Sequence, residues 1–294
     1  MRIPIPTELT KGQYLGNEEY IPKLMNIPYE ESIESASNTI LSASYVIALV
    51  GAGLSAESGI PTFRGKGGLW MKNGEPGPNQ YKTFLKDPKS WWINNINEKF
   101  DPERTKFRKA IDNSKPNKGH RALSKMEFVG ILKHQITQNV DGLHYIAGSR
   151  NVTEIHGSRH QMRCIDCETR IPRQNIEMLL EKHPSSEKIK LLPPTCNECG
   201  GIIKPDTVMF GESIPNSVLE ECMNQASKSD CILVIGTSAT VYPAASIPQK
   251  IKNNGGKIIE LNPSTTSLSK MADIIIRGQT SHTIPDLTQK LGLQ

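Results

Sequence analysis

Residues 46–70 read VIALVGAGLSAESGIPTFRGKGGLW, in which an uninterrupted apolar run breaks into Gly51-Ala52-Gly53. A short apolar run without alternation is typical of a parallel strand that is buried on both faces. The same pattern recurs in four later stretches, residues 128–137, 231–237, 257–262 and 272–278. Because helical or loop segments separate these runs, the chain is predicted to form an α/β fold with a mostly parallel sheet covered by helices.

The glycines after the first strand have the spacing Gly51-x-Gly53-x-x-Ala56, which matches the short dinucleotide-binding fingerprint. Glycine permits a tight turn and lets the backbone approach a pyrophosphate that faces the N–H groups of the next helix. A tight strand–helix turn also uses glycine for steric reasons alone, so the spacing by itself leaves both interpretations open. With this fingerprint, the sheet is predicted to be Rossmann-like and doubly wound.

A dehydrogenase would also carry an acidic residue about 20 positions later, at the end of a second strand, to hold the ribose. Residues 71–75 read MKNGE and follow no predicted strand. The loop over 58–70 instead predicts a mobile cover over a bound ligand, with Phe63 shielding a reactive centre and Arg64 near phosphate or ribose. The sequence therefore disfavours a hydride-transferring enzyme.

Two stretches interrupt the alternation of strands and helices and predict a smaller second lobe. Residues 65–117 carry scattered aromatic and charged side chains and predict a helical insertion, and residues 159–204 contain four cysteines and predict a zinc-binding module. The remaining predicted units are an N-terminal extension over 1–33 and a discontinuous Rossmann-like domain over 34–64, 118–158 and 205–294.

The 294 residues carry a formal net charge of +5, and the charged side chains are scattered along the chain. This mild and dispersed charge does not indicate a nucleic-acid partner. The N-terminus lacks the apolar segment of a secretory signal, and no apolar run approaches the roughly 18 residues of a membrane span. We expect a cytoplasmic, monomeric protein without a membrane partner.

Four of the six cysteines form the pairs Cys164-x-x-Cys167 and Cys196-x-x-Cys199. Four thiolates at this spacing are typical of a tetrahedral structural zinc site, and they leave no open position for a catalytic water. Disulfide pairing is the alternative, which the expected reducing compartment disfavours. The long segment between the pairs predicts an inserted helix around residues 176–182.

Polar side chains gather where two of the predicted strands end. The stretch TQNVDGLH supplies Gln138, Asn139 and Asp141, and the stretch TEIHG supplies His156. Doubly wound folds bind their ligands at the carboxyl ends of the strands, so these side chains are candidates for a binding site. Asn and Asp also cap turns and an isolated histidine is often inert, so each residue taken alone has a purely structural interpretation.

Taken together, the motifs resemble those of one known family. They follow one another in the order found in sirtuins, which are NAD-dependent protein lysine deacylases: GAGLSAESGIPTFRG, TQNVDGLH, EIHG, the two C-x-x-C pairs, KPDTVMFGE, GTSATVYPAA and LNP. The resemblance covers roughly residues 34–290. It implies that NAD is consumed as a co-substrate, that acylated lysines in proteins are the substrate, and that the cysteines hold one structural Zn²⁺.

The resemblance also implies which residues form the site. The NAD site would draw on five parts of the chain: Gly51, Ala52, Gly53, Ser55, Ala56, Phe63, Arg64, Trp70, Gln138, Asn139, Asp141, Gly236, Thr237, Ser238, Asn262 and Thr280. The substrate peptide would add as a strand between the lobes, against Val208, Phe210, Gly211 and Glu212. The catalytic residues would be His156 and Asn139.

In the chemistry that the resemblance implies, the acyl oxygen attacks C1′ of the nicotinamide ribose as nicotinamide leaves. His156 would then act as general base for a ribose hydroxyl, a role that suits imidazole because its ordinary pKa lies near the operating pH. The products would be free lysine, nicotinamide and O-acyl-ADP-ribose. Protein ADP-ribosyl transfer on the same scaffold and a non-enzymatic zinc-containing binding module are the alternatives.

The stretch GIPTFRGKGGLW resembles the corresponding stretch in the branch of sirtuins that removes succinyl and malonyl groups. That branch holds the acyl carboxylate with a Tyr-x-x-Arg pair, whose positions correspond here to Asn95 and Glu98. Because a glutamate would repel a carboxylate, we expect deacetylation, with longer or acidic acyl groups as alternatives. Trp91, Trp92 and Ile93 either line the acyl pocket or pack in the small lobe.

Overall fold

The computed structural model describes residues 27–65, 67–97 and 100–293. Its strands are β1 (Val46–Val50), β2 (Leu132–Thr137), β3 (Val152–Glu154), β4 (Gln161–Cys164), β5 (Arg170–Pro172), β6 (Ile203–Pro205), β7 (Cys231–Ile235), β8 (Lys257–Leu261) and β9 (Ile274–Ile276). Its α-helices are α1 (Tyr29–Ser42), α2 (Leu69–Asn73), α3 (Gln80–Lys86), α4 (Pro88–Ile96), α5 (Pro102–Asp112), α6 (Lys118–Phe128), α7 (Leu143–Ile146), α8 (Arg173–Glu181), α9 (Ser185–Lys188), α10 (Asn216–Lys228), α11 (Ser246–Asn253) and α12 (Thr280–Lys290). Most of the predicted N-terminal extension, residues 1–26, lies outside the described residues.

Six strands form one parallel sheet in the order β3-β2-β1-β7-β8-β9. This order is that of a Rossmann-like, doubly wound sheet, in which β1 is central and the chain winds outward from it in both directions. Val50, at the end of β1, is in register with Thr137 of β2 on one side and with Ile235 of β7 on the other. The predicted α/β fold is therefore confirmed, and the carboxyl ends of β1 and β7 flank its topological switch point.

The uninterrupted apolar run of β1 has a packing reason, because successive side chains point to opposite faces of the sheet. Val46, Ala48 and Val50 pack into the core on one face, which contains residues of α1, α6 and α12. Ile47 and Leu49 pack into the core on the other face, which contains residues of α10 and α11. A strand covered by helices on both faces therefore favours apolar side chains at every position.

Three short strands form a second, antiparallel sheet in the order β5-β4-β6. Its core combines Met162 and Ile203 from this sheet with Phe84 and Trp92 from α3 and α4. The indole N–H of Trp92 donates a hydrogen bond to the Ile203 carbonyl at 2.9 Å. The two stretches that interrupt the main sheet thus share one hydrophobic core, while the exact domain limits given above stay predictions.

Two local expectations can be compared with this fold. The helix expected around residues 176–182 is α8, which begins slightly earlier, at Arg173. Strand β3 was not predicted, because its three residues are only half-buried and form no apolar run. Over the described residues, no helix has both the length and the apolar character that crossing a bilayer requires.

Candidate active site

A cavity of about 1220 Å³ lies at the carboxyl ends of β1, β2 and β7 and extends to the three-stranded sheet. It exceeds the roughly 300–1,000 Å³ of most small-molecule pockets. Nearly all of the residues expected at the site line it: Gly51, Ala52, Gly53, Ser55, Phe63, Arg64, Trp70, Gln138, Asn139, Asp141, His156, Val208, Phe210, Gly211, Glu212, Gly236, Thr237, Ser238 and Asn262.

Two residues expected at the NAD site are not among the residues that line this cavity. Ala56 begins a short 3₁₀ helix and its side chain is exposed. Thr280 is buried at the start of α12, where its hydroxyl donates to the Gly53 carbonyl at 3.2 Å. Thr280 thus fixes the backbone of the glycine turn without lining the cavity.

The glycine turn after β1 crosses the turn after β7 at van der Waals distance. The Gly53 N–H donates to the Gly236 carbonyl at 2.8 Å, and the Gly51 N–H donates to the Ile235 carbonyl at 2.9 Å. A Cβ added at Gly53 would lie 2.6 Å from the Gly236 Cα, and one added at Gly51 would lie 2.6 Å from the Thr237 Cβ. Contact between two backbones therefore requires both glycines, before any ligand is considered.

A buried hydrogen-bond network supports the floor of the cavity. The Ser55 hydroxyl donates to the Asp141 carboxylate at 2.7 Å, and the Asn139 amide donates to the Ser55 Oγ and to the Gly51 carbonyl, both at 3.1 Å. The other Asp141 oxygen accepts the Leu143 N–H at 3.0 Å. The turn-capping interpretation of Asp141 is thus correct for one of its oxygens, while the network fixes the side chains that face the cavity.

Two buried histidines lie behind this network and were not singled out from the sequence. His120 Nε2 lies 3.5 Å from Ser55 Oγ, and the His120 ring packs edge to face against His144. Burial lowers the pKa of His120 to about 3 and that of His144 to about 4, so both rings are neutral near pH 7. The signal for His120 was the Asn117 capping box at the start of α6, which places the ring at the third helical position.

His156 follows β3 and lies in the wall of the cavity. Burial lowers the pKa of its imidazole, and a hydrogen bond with the Gln138 backbone partly opposes this shift. The Val208 N–H donates to the His156 carbonyl at 2.9 Å, which attaches the segment 208–212 directly to the histidine.

Aromatic rings connect the loop after β1 with the segment 208–212. Phe63 lies 5.0 Å from Trp70 and 5.4 Å from Phe107 of α5, and Trp70 lies 5.5 Å from Phe210. The Arg64 guanidinium sits 4.4 Å above the Trp70 ring and forms an ion pair with Glu75. The aromatic contacts thus join the two expected binding segments in the wall of one cavity.

The four cysteines come together at one end of the three-stranded sheet. Cys164 Sγ lies 3.5 Å from Cys199 Sγ, Cys167 Sγ lies 3.7 Å from Cys196 Sγ, and all four sulfurs lie within 4.8 Å of one another. Tetrahedral zinc with bonds of about 2.3 Å to sulfur separates its ligands by about 3.8 Å. The four thiols are unpaired and the arrangement of their sulfurs fits a closed, structural zinc site, which favours zinc over the disulfide alternative.

Comparisons with known proteins decide the family. The model of the Sir2 family matches residues 51–243. The chain belongs to the Sir2 family, and the resemblance to sirtuins is confirmed. It is 42% identical over 256 residues to NAD-dependent protein deacylase 1 of Archaeoglobus fulgidus, a match that covers 87% of this chain and 96% of the relative.

Solved Sir2 structures have the same fold. A Sir2 homologue in complex with NAD is 40% identical and superposes with a TM-score of 0.69, over 88% of this chain and 93% of that one. Sir2Tm bound to a propionylated peptide is 27% identical and superposes with a TM-score of 0.70, over 89% of this chain and 99% of that one. NAD and a propionylated peptide are therefore ligands of relatives that share the fold of this Sir2 chain.

Helix α5 supplies cavity residues of this Sir2 chain that the sequence motifs did not indicate. Arg104, Phe107 and Arg108 line the cavity from a stretch that the sequence showed only as irregular and charged. Asp101 caps the helix by accepting the Arg104 N–H, and Pro102 occupies the first helical position. This Asp-Pro start is a readable helix signal, although spacing alone does not tell which face meets the cavity.

We expect Gly53→Ala to lower the free energy of unfolding by about 1–3 kcal/mol, because the added methyl overpacks two backbones. It should also reduce the affinity for ADP-ribose, measured by calorimetry. Gly77→Ala is the matched control, because a Cβ at Gly77 meets no atom within 4 Å. An unchanged unfolding midpoint for Gly53→Ala would contradict the steric argument.

The zinc site yields a second prediction. Purified protein should contain about one zinc ion per chain, and chelation should increase deuterium uptake over residues 159–204 while β1 stays protected. Cys199→Ala should lose the metal, whereas Cys222→Ala, which removes a buried thiol outside the cluster, should retain it. If residues 159–204 keep wild-type protection from deuterium exchange after complete removal of zinc, a structural role of the metal is excluded.

Proposed function

We propose that this chain is an NAD-dependent protein lysine deacylase, which cleaves NAD to nicotinamide and transfers the acyl group of a modified lysine to ADP-ribose. The observation that carries this proposal is the position of His156. It lies in the cavity that is lined both by the glycine turns of the Rossmann-like sheet and by the segment 208–212.

The glycine turns supply the features that a dinucleotide needs. Gly51 and Gly53 bring the backbone to the cavity surface at the switch point, and Gly236, Thr237 and Asn262 face it from the neighbouring strands. The Asn262 side chain is oriented by a bond from its amide to the Thr237 carbonyl at 3.1 Å. We assign the pyrophosphate to the first turn and the adenosine to the side of Asn262, where doubly wound folds bind nucleotides.

His156 is suited to act as the base in this site. Because its pKa is lowered from the ordinary value of 6.5, the ring is neutral and able to accept a proton throughout the neutral range. We assign it the proton of a ribose hydroxyl of the bound NAD. The Asn139 amide, held by Ser55 and Gly51, is assigned the positioning of the nicotinamide ribose.

The acylated peptide is assigned to the segment 208–212, next to His156. Six backbone groups of this segment are already bonded within the protein, namely the N–H groups of Val208, Met209, Phe210 and Glu212 and the carbonyls of Met209 and Phe210. A peptide strand that adds here would therefore pair with other backbone groups of the segment. The cytoplasmic location and the monomeric state stay predictions.

The test is mass spectrometry of NAD and peptides, with a panel of acetyl-, propionyl-, succinyl- and myristoyl-lysine substrates. We expect nicotinamide and O-acyl-ADP-ribose from the wild-type chain, with activity that declines only below pH 6.5 as His156 becomes protonated. His156→Ala should keep ADP-ribose affinity within about twofold and lose at least about 100-fold in deacylation.

The exposed His282→Ala serves as the histidine control for this test. Radiolabel from NAD that remains on protein would instead indicate ADP-ribosyl transfer, and intact NAD after prolonged incubation would indicate a binding module. Deacylation by His156→Ala at the wild-type rate would contradict the assignment of His156 as the base.

An acidic acyl group is the second candidate substrate, and the arginines of α5 favour it. Burial and the nearby guanidinium groups of Arg104, Arg173 and Arg159 lower the pKa of Arg108 to about 10. Within the described residues, the hydrogen bonds of Arg108 go to the uncharged oxygens of Asn95. A half-buried guanidinium that bonds no carboxylate among the described residues is suited to bind one from a ligand.

The surroundings of Arg108 differ from the Tyr-x-x-Arg arrangement of the branch that the sequence resembles. Asn95, one of the two positions compared with the Tyr-x-x-Arg pair, is buried and holds Arg108, while Glu98 lies outside the described residues. Trp92 packs in the core of the small lobe, Ile93 packs against that core, and Trp91 also reaches the cavity. The acyl end of the cavity therefore combines an indole with guanidinium groups.

We expect Arg108→Met to reduce kcat/KM for a succinyl-lysine peptide by about 10- to 100-fold, which corresponds to the loss of one charge-assisted hydrogen bond. The kcat/KM for the acetyl-lysine peptide should stay within about twofold. Arg121→Met, which removes an arginine bonded to the Pro116 carbonyl, is the control. An equal loss with both peptides would exclude a role in acyl selection.

A further inference from the structure

A buried network of charges lies between the three-stranded sheet and the cavity. It contains two cations, Arg163 of β4 and Lys204 of β6, and two carboxylates, Asp206 and Glu212. Each of the four side chains is at most 6% exposed. Buried ion pairs are weak contributors to stability because of their desolvation cost, so their geometry calls for another explanation.

One end of the network holds the segment expected to bind the substrate. The Glu212 carboxylate accepts Arg163 Nη2 at 2.6 Å, lies 3.0 Å from Lys204 Nζ, and accepts the Met209 N–H at 2.8 Å. Its oxygens are thus used inside the protein, although the residue borders the cavity. Glu212 therefore attaches the segment 208–212 to the sheet.

The other end holds the loop that carries the base. One Asp206 oxygen accepts the Ser158 N–H at 3.0 Å, two residues after His156, and the other accepts Arg170 Nε at 3.1 Å. Arg163 Nε lies 3.0 Å from this second oxygen, as an ion pair without hydrogen-bond alignment. One guanidinium thus connects the histidine loop with the substrate segment.

Lys204 is the second cation of the network and contacts both Glu212 and the backbone after β6. Its ammonium lies 2.9 Å from the Pro205 carbonyl, 3.0 Å from the Thr207 carbonyl and 3.0 Å from Glu212. An ammonium has three N–H donors, and here each has an acceptor. Lys204 therefore fixes the chain that leads from β6 into the substrate segment.

We propose that Arg163 is a positioning residue for deacylation, which sets the distance between His156 and the acyl-lysine by holding Asp206 and Glu212 together. This inference rests on the proposed function. Arg163 does not line the cavity, so its effect passes through the two carboxylates. It directly precedes the zinc ligand Cys164, so the zinc-binding sheet supplies the strand that aligns the base with the substrate.

The test compares Arg163→Met with Arg170→Met. Both changes remove a guanidinium that contacts Asp206, but only Arg163 also reaches Glu212, and Arg170 is 39% exposed. We expect Arg163→Met to raise the KM for an acyl-lysine peptide by about tenfold or more, because Glu212, which holds the Met209 N–H of the substrate segment, loses its guanidinium partner. ADP-ribose affinity and zinc content should stay within about twofold, and Arg170→Met should leave the peptide KM unchanged.

The double variant Arg163→Met/Glu212→Leu separates positioning from stability. Arg163→Met leaves two buried carboxylates with one buried cation, Lys204, whereas the double variant restores one charge of each sign and leaves Lys204 its two carbonyl acceptors. The double variant should therefore recover part of the unfolding midpoint that Arg163→Met loses. The peptide KM should stay raised, because the Met209 N–H has lost its carboxylate. Arg163→Lys should recover only part of the peptide KM, since an ammonium does not bridge both carboxylates.

Three results would overturn the inference. They are a wild-type peptide KM for Arg163→Met, a parallel loss of peptide and ADP-ribose affinity, or a double variant that recovers the peptide KM together with its stability. Turnover of NAD by the wild-type chain tests the proposed function separately. If the wild type does not consume NAD, peptide binding in the presence of ADP-ribose, measured by fluorescence anisotropy, still tests Arg163.

Discussion

The crossing of two backbones at the switch point of the sheet is the constraint on which the site depends. The turn after β1 and the turn after β7 approach so closely that the Gly53 N–H bonds the Gly236 carbonyl at 2.8 Å. Side chains at Gly51 and Gly53 would displace one strand end from the other. Because every cofactor-facing residue of the sheet is placed relative to these turns, a shift there would move the whole nucleotide side of the cavity.

The opposite side of the cavity depends on a different kind of interaction. The three-stranded sheet is small, and its core relies on Phe84 and Trp92 from the helical insertion. Zinc binding by the four thiolates is expected to add folding free energy that so small a core lacks. A buried charge network then connects this sheet with the loops at the cavity. It consists of Arg163, Lys204, Asp206 and Glu212.

Electrostatics divide the cavity into two environments. Around His120, His144 and His156, burial lowers the imidazole pKa values, so this region carries neutral rings that donate or accept hydrogen bonds. Near α5, Arg104 and Arg108 bring positive charge to the wall. Burial also raises the pKa of Glu154, two residues before His156, to about 7, so its carboxyl is partly protonated near neutral pH. Neutral imidazoles beside a cationic wall are compatible with the proposed proton transfer next to an anionic ligand.

The sequence by itself determined the parallel sheet, the glycine turns, the cysteine cluster and the order of motifs. These features are encoded locally, in apolar runs such as 231–237, in the spacing of Gly51 and Gly53, and in the C-x-x-C pairs. Only the tertiary structure decided that Thr280 supports the glycine turn, that Glu212 is bonded to Arg163, and that Arg108 faces the cavity. The physical reason is that these contacts join residues 49 to 227 positions apart, or depend on how an inserted helix is rotated, and residue spacing carries no information about either.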